Sequence, residues 1–497
     1  MLLLSISEKS GTPIYRQIIS GIRKKVETGA LRPGDKLPST RRLAETLGVH
    51  RSTVAVSYQE LWALGFIDLH PGASPLVRDR MQIAVAADRD EKSFINWSKA
   101  ISAAGNAVLD AYGRVYPSVG FDKNRSAVDF ASLDMDRRLF PLDNFRACLN
   151  RVLKTQGPDL LGYGHRPGYP PLRKYLADRL RNHGIAVTPD EVLITNGSQQ
   201  GLDLVFRLFA APGKTVAIES PTYGHALPLI RFCGMKAVEV PIRRDGMDLT
   251  ILAKTLEKKR PTLVYTMPNF HNPTGVSTGQ AHRERLLSLC EKHRVPILED
   301  GYDEEMKYFG RVVLPIKSMD RRQLVIYCGT FSKILFPGVR IGWVAAAKEC
   351  IDRLTALRSF SELAPSMILQ AAVDEFCRNG YYDRHISKMH RVFRKRMQTF
   401  IRSLRLHVPP EFAEWTEPSG GYLVWLKLKP VTDRTLDWKT LFAAHGVRVT
   451  PGRNFFYTET ADPYLRLSIS TLNEEEIVEG VKCLSKALRQ IYAGRPS

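Results

Sequence analysis

The sequence predicts a two-part chain: a small, mainly α domain of helix-turn-helix type ending in a hairpin wing, then a large α/β domain with a smaller α+β lobe. Three observations predict it. Apolar residues recur at helical spacing in three blocks before residue 66, and a stretch of mixed charge over residues 73–93 shows little periodicity. Beyond about residue 190, short apolar runs bounded by turns alternate with longer amphipathic stretches. With 497 residues, 44% of them hydrophobic and 25% charged, the chain can bury a large core, which excludes a disordered or fibrous protein. Its formal charge of +21 favours polyanionic partners, nucleic acid among them. Seven scattered cysteines form no Cys-x-x-Cys pair and have no matching His, so no metal is expected and a reduced, cytoplasmic setting fits. No run approaches the ~20 apolar residues of a membrane span, so no membrane partner is expected.

After Pro13, Ile14, Ile18, Ile22 and Val26 recur every fourth position and Gly29 stops the helix. Turn-forming residues 31–39 follow, and either Ser39 or Thr40 can cap a second helix that carries Leu43, Ala44 and Leu47 and breaks at Gly48. From Ser52 a third helix places Val54, Tyr58, Leu61 and Gly65 on one side, leaving Arg51, Ser52 and Thr53 at its start free to face outward. Two short helices joined by Leu47-Gly48-Val49-His50 form the arrangement whose second helix enters the major groove of double-stranded DNA. There Arg51 offers a fork to guanine, while Ser52 and Thr53 suit phosphate or base contacts. Phe66 to Gly72 alternates and then turns, as a wing would.

The stretches Gly34-Asp35-Lys36-Leu37-Pro38-Ser39-Thr40-Arg41-Arg42-Leu43-Ala44 and Gly48-Val49-His50-Arg51-Ser52-Thr53-Val54 resemble the GntR-type winged helix-turn-helix family. The resemblance implies a DNA-binding domain over residues 1–72 that reads DNA through Arg41, Arg51, Ser52, Thr53 and Gly72. The wing departs from the family: Gly72-Ala73-Ser74-Pro75-Leu76-Val77 replaces a glycine-rich turn and a Phe-Val strand end, leaving its contacts open. Residues 73–93 read as an exposed linker. Phe94, Trp97, Ile101, Ala104 and Val108 then suggest a helical arm at the start of an effector domain over residues 94–497.

The apolar runs Val192-Leu193-Ile194, Val216-Ala217-Ile218, Leu263-Val264-Tyr265, Ile297-Leu298 and Leu324-Val325-Ile326-Tyr327 are the pattern of a mainly parallel sheet covered by helices. Ligands of such sheets collect beyond the strand C-termini, where this sequence places its polar clusters. Thr195 to Gly201 leads into a helix whose free N–H groups and positive dipole end suit a phosphate. Pro268 to Gly275 presents an amide, a later run ends in Glu299-Asp300-Gly301-Tyr302, and Gly329-Thr330-Phe331-Ser332-Lys333 precedes Pro337-Gly338-Val339-Arg340-Ile341-Gly342.

In this order the set resembles the fold-type I aminotransferases that depend on pyridoxal 5'-phosphate (PLP), over about residues 125–490. That implies PLP as cofactor and Lys333 as the lysine forming its Schiff base. It implies Asp300 on the pyridine nitrogen, Asn272 and Tyr302 on the phenolic oxygen, and Tyr223 against the ring face. Ser198, Gln199, Thr330, Ser332 and Arg340 would surround the phosphate, and Arg466 in Tyr464-Leu465-Arg466-Leu467-Ser468 would grip a ligand carboxylate. Tyr163 and Gly168 match a segment that lies at the dimer interface of relatives. Where the family shows Phe-x-x-Gly-x-Pro, this chain has Phe130-Ala131-Ser132-Leu133-Asp134, and Ser132 and Asp134 would crowd or repel a carboxylate.

The two parts in this order resemble the MocR/GabR subfamily of GntR regulators. The resemblance implies a domain-swapped homodimer, each reader packed on the partner's aminotransferase-like domain. It implies a regulator that binds operator DNA and senses a small amine or amino acid by imine exchange at Lys333. Two alternatives stay open: PLP itself is the signal, or the chain is an active aminotransferase with an accessory DNA-binding domain.

Overall fold

The computed structural model describes residues 4–7, 10–70, 72–79, 95–115, 127–310, 313–430, 438–458 and 463–492. Linker residues 80–93 and Phe94 lie outside these, as does the side chain of Ala104. The chain divides into two compact units, Met1–Ser102 and Ala103–Ser497.

In the first unit α1 (Ile14–Glu27), α2 (Thr40–Leu47) and α3 (Arg51–Ala63) enclose Ile18, Ile22, Leu43, Val54, Tyr58 and Leu61. Ser39, not Thr40, caps α2, its hydroxyl accepting from the Arg42 N–H at 3.3 Å. Gly48 ends α2 at φ +64°, a left-handed conformation open to glycine at little cost. The strands β1 (Ile67–Asp68) and β2 (Leu76–Val77) pair antiparallel, Ile67 opposite Val77, and the Arg78 guanidinium is bound to the Asp68 carboxylate at the hairpin's base. The expected boundary at residue 72 therefore cuts the hairpin. Its return strand is only two residues long, too short to register as periodicity in a segment that reads as linker. The short helix Trp97–Ala100 falls in the first unit, not the second. Trp97 and Ile101 are 59% and 43% exposed, so their helical spacing does not mark a buried face.

The second unit is built on an eight-stranded sheet. Its strands are β4 (Val192–Thr195), β5 (Thr215–Ser220), β6 (Lys236–Arg243), β7 (Gly246–Met247), β8 (Leu263–Thr266), β9 (Ile297–Asp300), β10 (Val325–Thr330) and β11 (Gly342–Ala345). They lie in the order β4-β11-β10-β9-β8-β5-β6-β7, and a short β3 (Val128–Asp129) pairs elsewhere, with β14 (Val447–Arg448). The pairs β10–β9, β9–β8, β8–β5 and β5–β6 are parallel, while β11 runs antiparallel to both β4 and β10. All five apolar runs read from the sequence are strands of this sheet. β4, β5, β8, β9 and β10 are buried along most of their length, as expected where helices cover both faces. A four-stranded antiparallel sheet, β12 (Ala413–Trp415), β13 (Leu423–Leu428), β16 (Tyr464–Ser468) and β15 (Thr450–Pro451), forms the smaller lobe. The 27-residue helix Tyr381–His407 buries Phe393, Met397, Phe400 and Leu404 in the large core cluster that also takes in β13 and β16 residues. No helix among the described residues is long and apolar enough to cross a membrane.

Candidate functional site

The parallel strands bring Thr195, Ser220, Asp300 and Thr330 to one edge of the sheet, and the turns beyond them carry the expected cofactor residues. Lys333 lies in the turn after β10, and its Nζ donates to the Leu133 carbonyl at 2.8 Å. Burial lowers its amine to about 8, against the opposing pull of Asp303 and Asp134. On the neighbouring strand Asp300 is buried. Its Oδ2 accepts from the Tyr265 hydroxyl at 2.9 Å, while Oδ1 has no protein partner among the described residues. Burial pushes this carboxyl up to about 7.

Beside them the chain forms an anion cradle. Gly197 opens the helix Gly197–Phe209 at φ +74°, and a Cβ there would stand 2.6 Å from the Arg340 Nη2. Only glycine lets the guanidinium lie over this helix start, where Nη2 donates to the Asn196 carbonyl at 2.9 Å. Ser198 and Gln199 occupy the first turn of the helix, whose N–H groups and dipole favour negative charge. The Thr330 hydroxyl oxygen accepts from the Ser332 N–H at 3.1 Å, and the buried Ser332 Oγ has no partner among the described residues. Tyr223 donates to Gln199 Oε1 at 3.2 Å and stacks on His225 with ring centroids 5.1 Å apart. The buried Asn272 Oδ1 also lacks a partner among the described residues. Tyr302 departs from its expected role in one respect. Its hydroxyl donates to the Phe270 carbonyl at 2.8 Å, so toward a phenolic oxygen its single proton is already committed.

Arg466, on β16, is buried and tied to the chain itself. Its Nη2 donates to the Ala131 carbonyl at 2.5 Å and to Thr450 Oγ1 at 3.1 Å, and its Nε has no partner among the described residues. Burial lowers this guanidinium to about 10. The segment that departs from the aminotransferase pattern thus sets one carbonyl on Arg466 and another on Lys333. Three further residues belong to the site without having been read from the sequence. Tyr265 is hidden in an apolar run, His225 follows Tyr223 by two residues, and Asp303 is one of three consecutive acids.

In the reader, Arg41 and Arg51 are exposed at the α2–α3 corner. Arg41 Nε lies 3.4 Å from Glu45, and Arg51 Nε donates to Thr40 Oγ1 at 3.4 Å. Thr53 is half-buried, and Gly72 turns the wing at φ +76°. Ser52 is exposed but engaged: its N–H donates to Nδ1 of His50, the residue capping α3, at 3.3 Å, and its hydroxyl lies 2.6 Å from the same atom.

A partnerless carboxylate oxygen, an orphan amide oxygen and hydroxyl, a lysine of lowered basicity and a glycine-lined anion cradle together fit a pyridine aldehyde bearing a phosphate. Fold and site thus define a PLP-dependent protein of the fold-type I class. The family description "Aminotransferase class I and II" matches residues 127–484, and "Bacterial regulatory proteins, gntR family" matches residues 14–77. The chain belongs to the class I and II aminotransferase family, with a GntR-type helix-turn-helix domain at its N-terminus. It is 28% identical to the probable rhizopine catabolism regulatory protein MocR of Rhizobium meliloti, over 98% of this chain and 96% of that one. To the 2-aminoadipate transaminase of Thermus thermophilus it is 36% identical, over 71% of this chain and 88% of the enzyme. The structure of the α-aminoadipate aminotransferase LysN of Thermus thermophilus, complexed with N-(5'-phosphopyridoxyl)-L-leucine, superimposes with a TM-score of 0.73 at 32% identity, covering 80% of this chain and all of that one. PLP is the cofactor of this fold.

Proposed function

We propose that this chain is a PLP-dependent transcription regulator that binds operator DNA through the α2–α3 corner and senses an amine or amino acid at the Lys333 pocket. The observation that carries this reading is the extent of the likeness. The regulator MocR aligns along 98% of the chain, reader included, whereas the transaminase aligns along 71%. When bound, PLP supplies an aldehyde carbon that captures primary amines and a ring that withdraws electrons. Lys333 is the residue that would hold it, in a buried turn where its amine is readily neutral at mildly alkaline pH. Asp300 Oδ1 would accept the ring N–H, and the Gly197 helix start, Ser198, Ser332, Thr330 and Arg340 would hold the phosphate.

Arg466 is the natural grip for an effector carboxylate, because a bidentate guanidinium pair in a buried pocket is strong and directional. An incoming carboxylate has to displace the Ala131 carbonyl from Nη2. This opposes simple turnover and favours a ligand whose binding moves residues 131–134. Full reversal of a two-state equilibrium needs about 5.5 kcal/mol of differential binding. A domain-swapped homodimer acting in the cytoplasm completes the proposal. Tyr163, Leu161 and Phe360 stand 87%, 72% and 92% exposed on the second unit, and large apolar side chains left bare support a partner subunit. The test is a gel shift on the chain's own upstream DNA with and without PLP and a panel of amines. A shift that no amine alters, alongside steady-state turnover of amino and keto acids, would establish the enzyme reading instead; a response to PLP alone would make the cofactor the signal.

A further inference from the structure

Two unfavourable local choices meet at the end of the helix Lys348–Glu362. Its last residue is an acid, which faces the negative end of the helix dipole, and its last turn holds no basic residue. The residue that follows, Leu363, stands at φ +56°, a region that side chains rarely adopt. The Glu362 carboxylate finds its partners far away in the sequence. Oε1 accepts from Asn196 Nδ2 at 2.6 Å and Oε2 from Gln200 Nε2 at 2.8 Å, across separations of 166 and 162 residues. Because a carboxylate only accepts, Gln200 has to turn its NH2 to Glu362, which leaves its oxygen for the chain. That oxygen accepts from the Asn196 N–H at 2.8 Å. Arg358, 1% exposed, brings its Nε to 3.8 Å from Glu362 Oε2 and offsets the charge, while its Nη1 donates to the Ile194 carbonyl.

These contacts converge on the start of the helix Gly197–Phe209. Asn196 is the residue before that helix, and asparagine there ordinarily turns its side-chain oxygen onto the N–H groups of the first turn. Here it makes no such cap. Its amide is drawn to Glu362 instead, so no Asn196 oxygen competes with an anion for the first-turn N–H groups. The Asn196 backbone is held as well, its N–H by Gln200, and its carbonyl is the acceptor on which Arg340 Nη2 rests at 2.9 Å. A continuous run of hydrogen bonds thus joins Glu362, through Asn196, to the guanidinium over Gly197.

We infer that Glu362 is a positioning residue for the phosphate: by holding the Asn196 and Gln200 amides it keeps the helix start uncapped and fixes the carbonyl that aims Arg340. This rests on the reading of the Gly197 helix start as the phosphate site.

The experiment titrates the full-length chain with PLP and with pyridoxal, which lacks the phosphate, and follows the visible absorbance of each. Glu362→Gln presents an NH2 to one of the two amides. It should raise the Kd for PLP about tenfold, as the loss of one hydrogen bond to a charged group does, and leave that for pyridoxal unchanged. Gln200→Ala cuts the same brace from the other side; it should act likewise and covers the case in which the first variant does not fold. Together the two should cost less than the product of their separate effects, because they break one network. An equal loss for PLP and pyridoxal would mark a merely structural role, and no loss for either would leave the brace without effect; each overturns the inference. Gly197→Ala separates the two claims. If that variant keeps its PLP affinity, the reading of the phosphate site fails. If it loses affinity while the Glu362 and Gln200 variants bind PLP as the wild type does, the Glu362 inference alone fails.

Discussion

At the residue scale, the site is a set of buried polar atoms without partners among the described residues, and two of their residues, Asp300 and Arg466, carry predictions. Asp300→Asn removes the acceptor charge for a ring N–H and should weaken PLP binding by about 1.5–3 kcal/mol, the range of a hydrogen bond to a charged group; a cofactor titration of the visible band measures it. The same residue sets a pH dependence. Its carboxyl titrates at about 7 in the fold, against an ordinary value of 3.8. The PLP-free fold therefore retains a proton there that the unfolded chain has lost, and stability falls as pH rises between those values, on the order of 1 kcal/mol per unit. A bound ring N–H compensates the carboxylate, so the gain in Tm on adding PLP should be larger at neutral pH than at pH near 4. An equal gain at both would remove Asp300 from the ring nitrogen. Arg466→Ala should abolish the effector response in the gel shift while the visible band of PLP remains. Loss of both together would mean general unfolding instead.

At the element scale, helix starts and turns carry the proposed sites. Gly197 begins its helix in the left-handed region with the Arg340 guanidinium against it, so Gly197→Ala both strains the backbone and forces the guanidinium aside. PLP affinity should fall about tenfold or more while far-ultraviolet circular dichroism stays near wild type; unchanged affinity would move the phosphate elsewhere. In the reader, α3 begins under a His50 cap with Arg51 exposed at its first turn. Arg51→Ala should cost about 1–3 kcal/mol of DNA binding and relax one base preference. A uniform loss across sequences, with a shallower salt dependence, would mark Arg51 as a phosphate contact only.

At the scale of the whole molecule, each compact unit has its own core, Ile18 to Val77 in the first and the large sheet and its helices in the second. Calorimetry should therefore resolve two unfolding transitions, with PLP raising only that of the larger unit, because a ligand stabilises the body that binds it. A single transition that PLP shifts as a whole would show the two units to be energetically one. Much of this architecture was legible beforehand. The apolar runs that became β4, β5, β8, β9 and β10 are buried on both faces, and such strands write themselves as continuous hydrophobic runs. β6 escaped notice because only Val240 along it is buried, and β11 because Gly342-Trp343-Val344-Ala345 opens on glycine and holds a single β-branched residue. The wing's return strand was lost because its two residues sit beside a segment of mixed charge.

Chemistry that depends on residue type and order was determined by the sequence alone: a lysine after Thr-Phe-Ser, an aspartate at a strand end, glycine before a polar helix start, and a helix pair with arginine at its turn. Local rules suffice there, since caps, dipoles and strand ends act within a few residues. Tertiary structure alone decided which groups meet across long separations. The Ala131 carbonyl reaches Arg466 and the Leu133 carbonyl reaches Lys333 only because the small lobe folds back over the sheet edge. Asp303, one of three consecutive acids, is buried where residues 420–422 lie against it, and desolvation is a property of enclosure that leaves no mark in the order of residues.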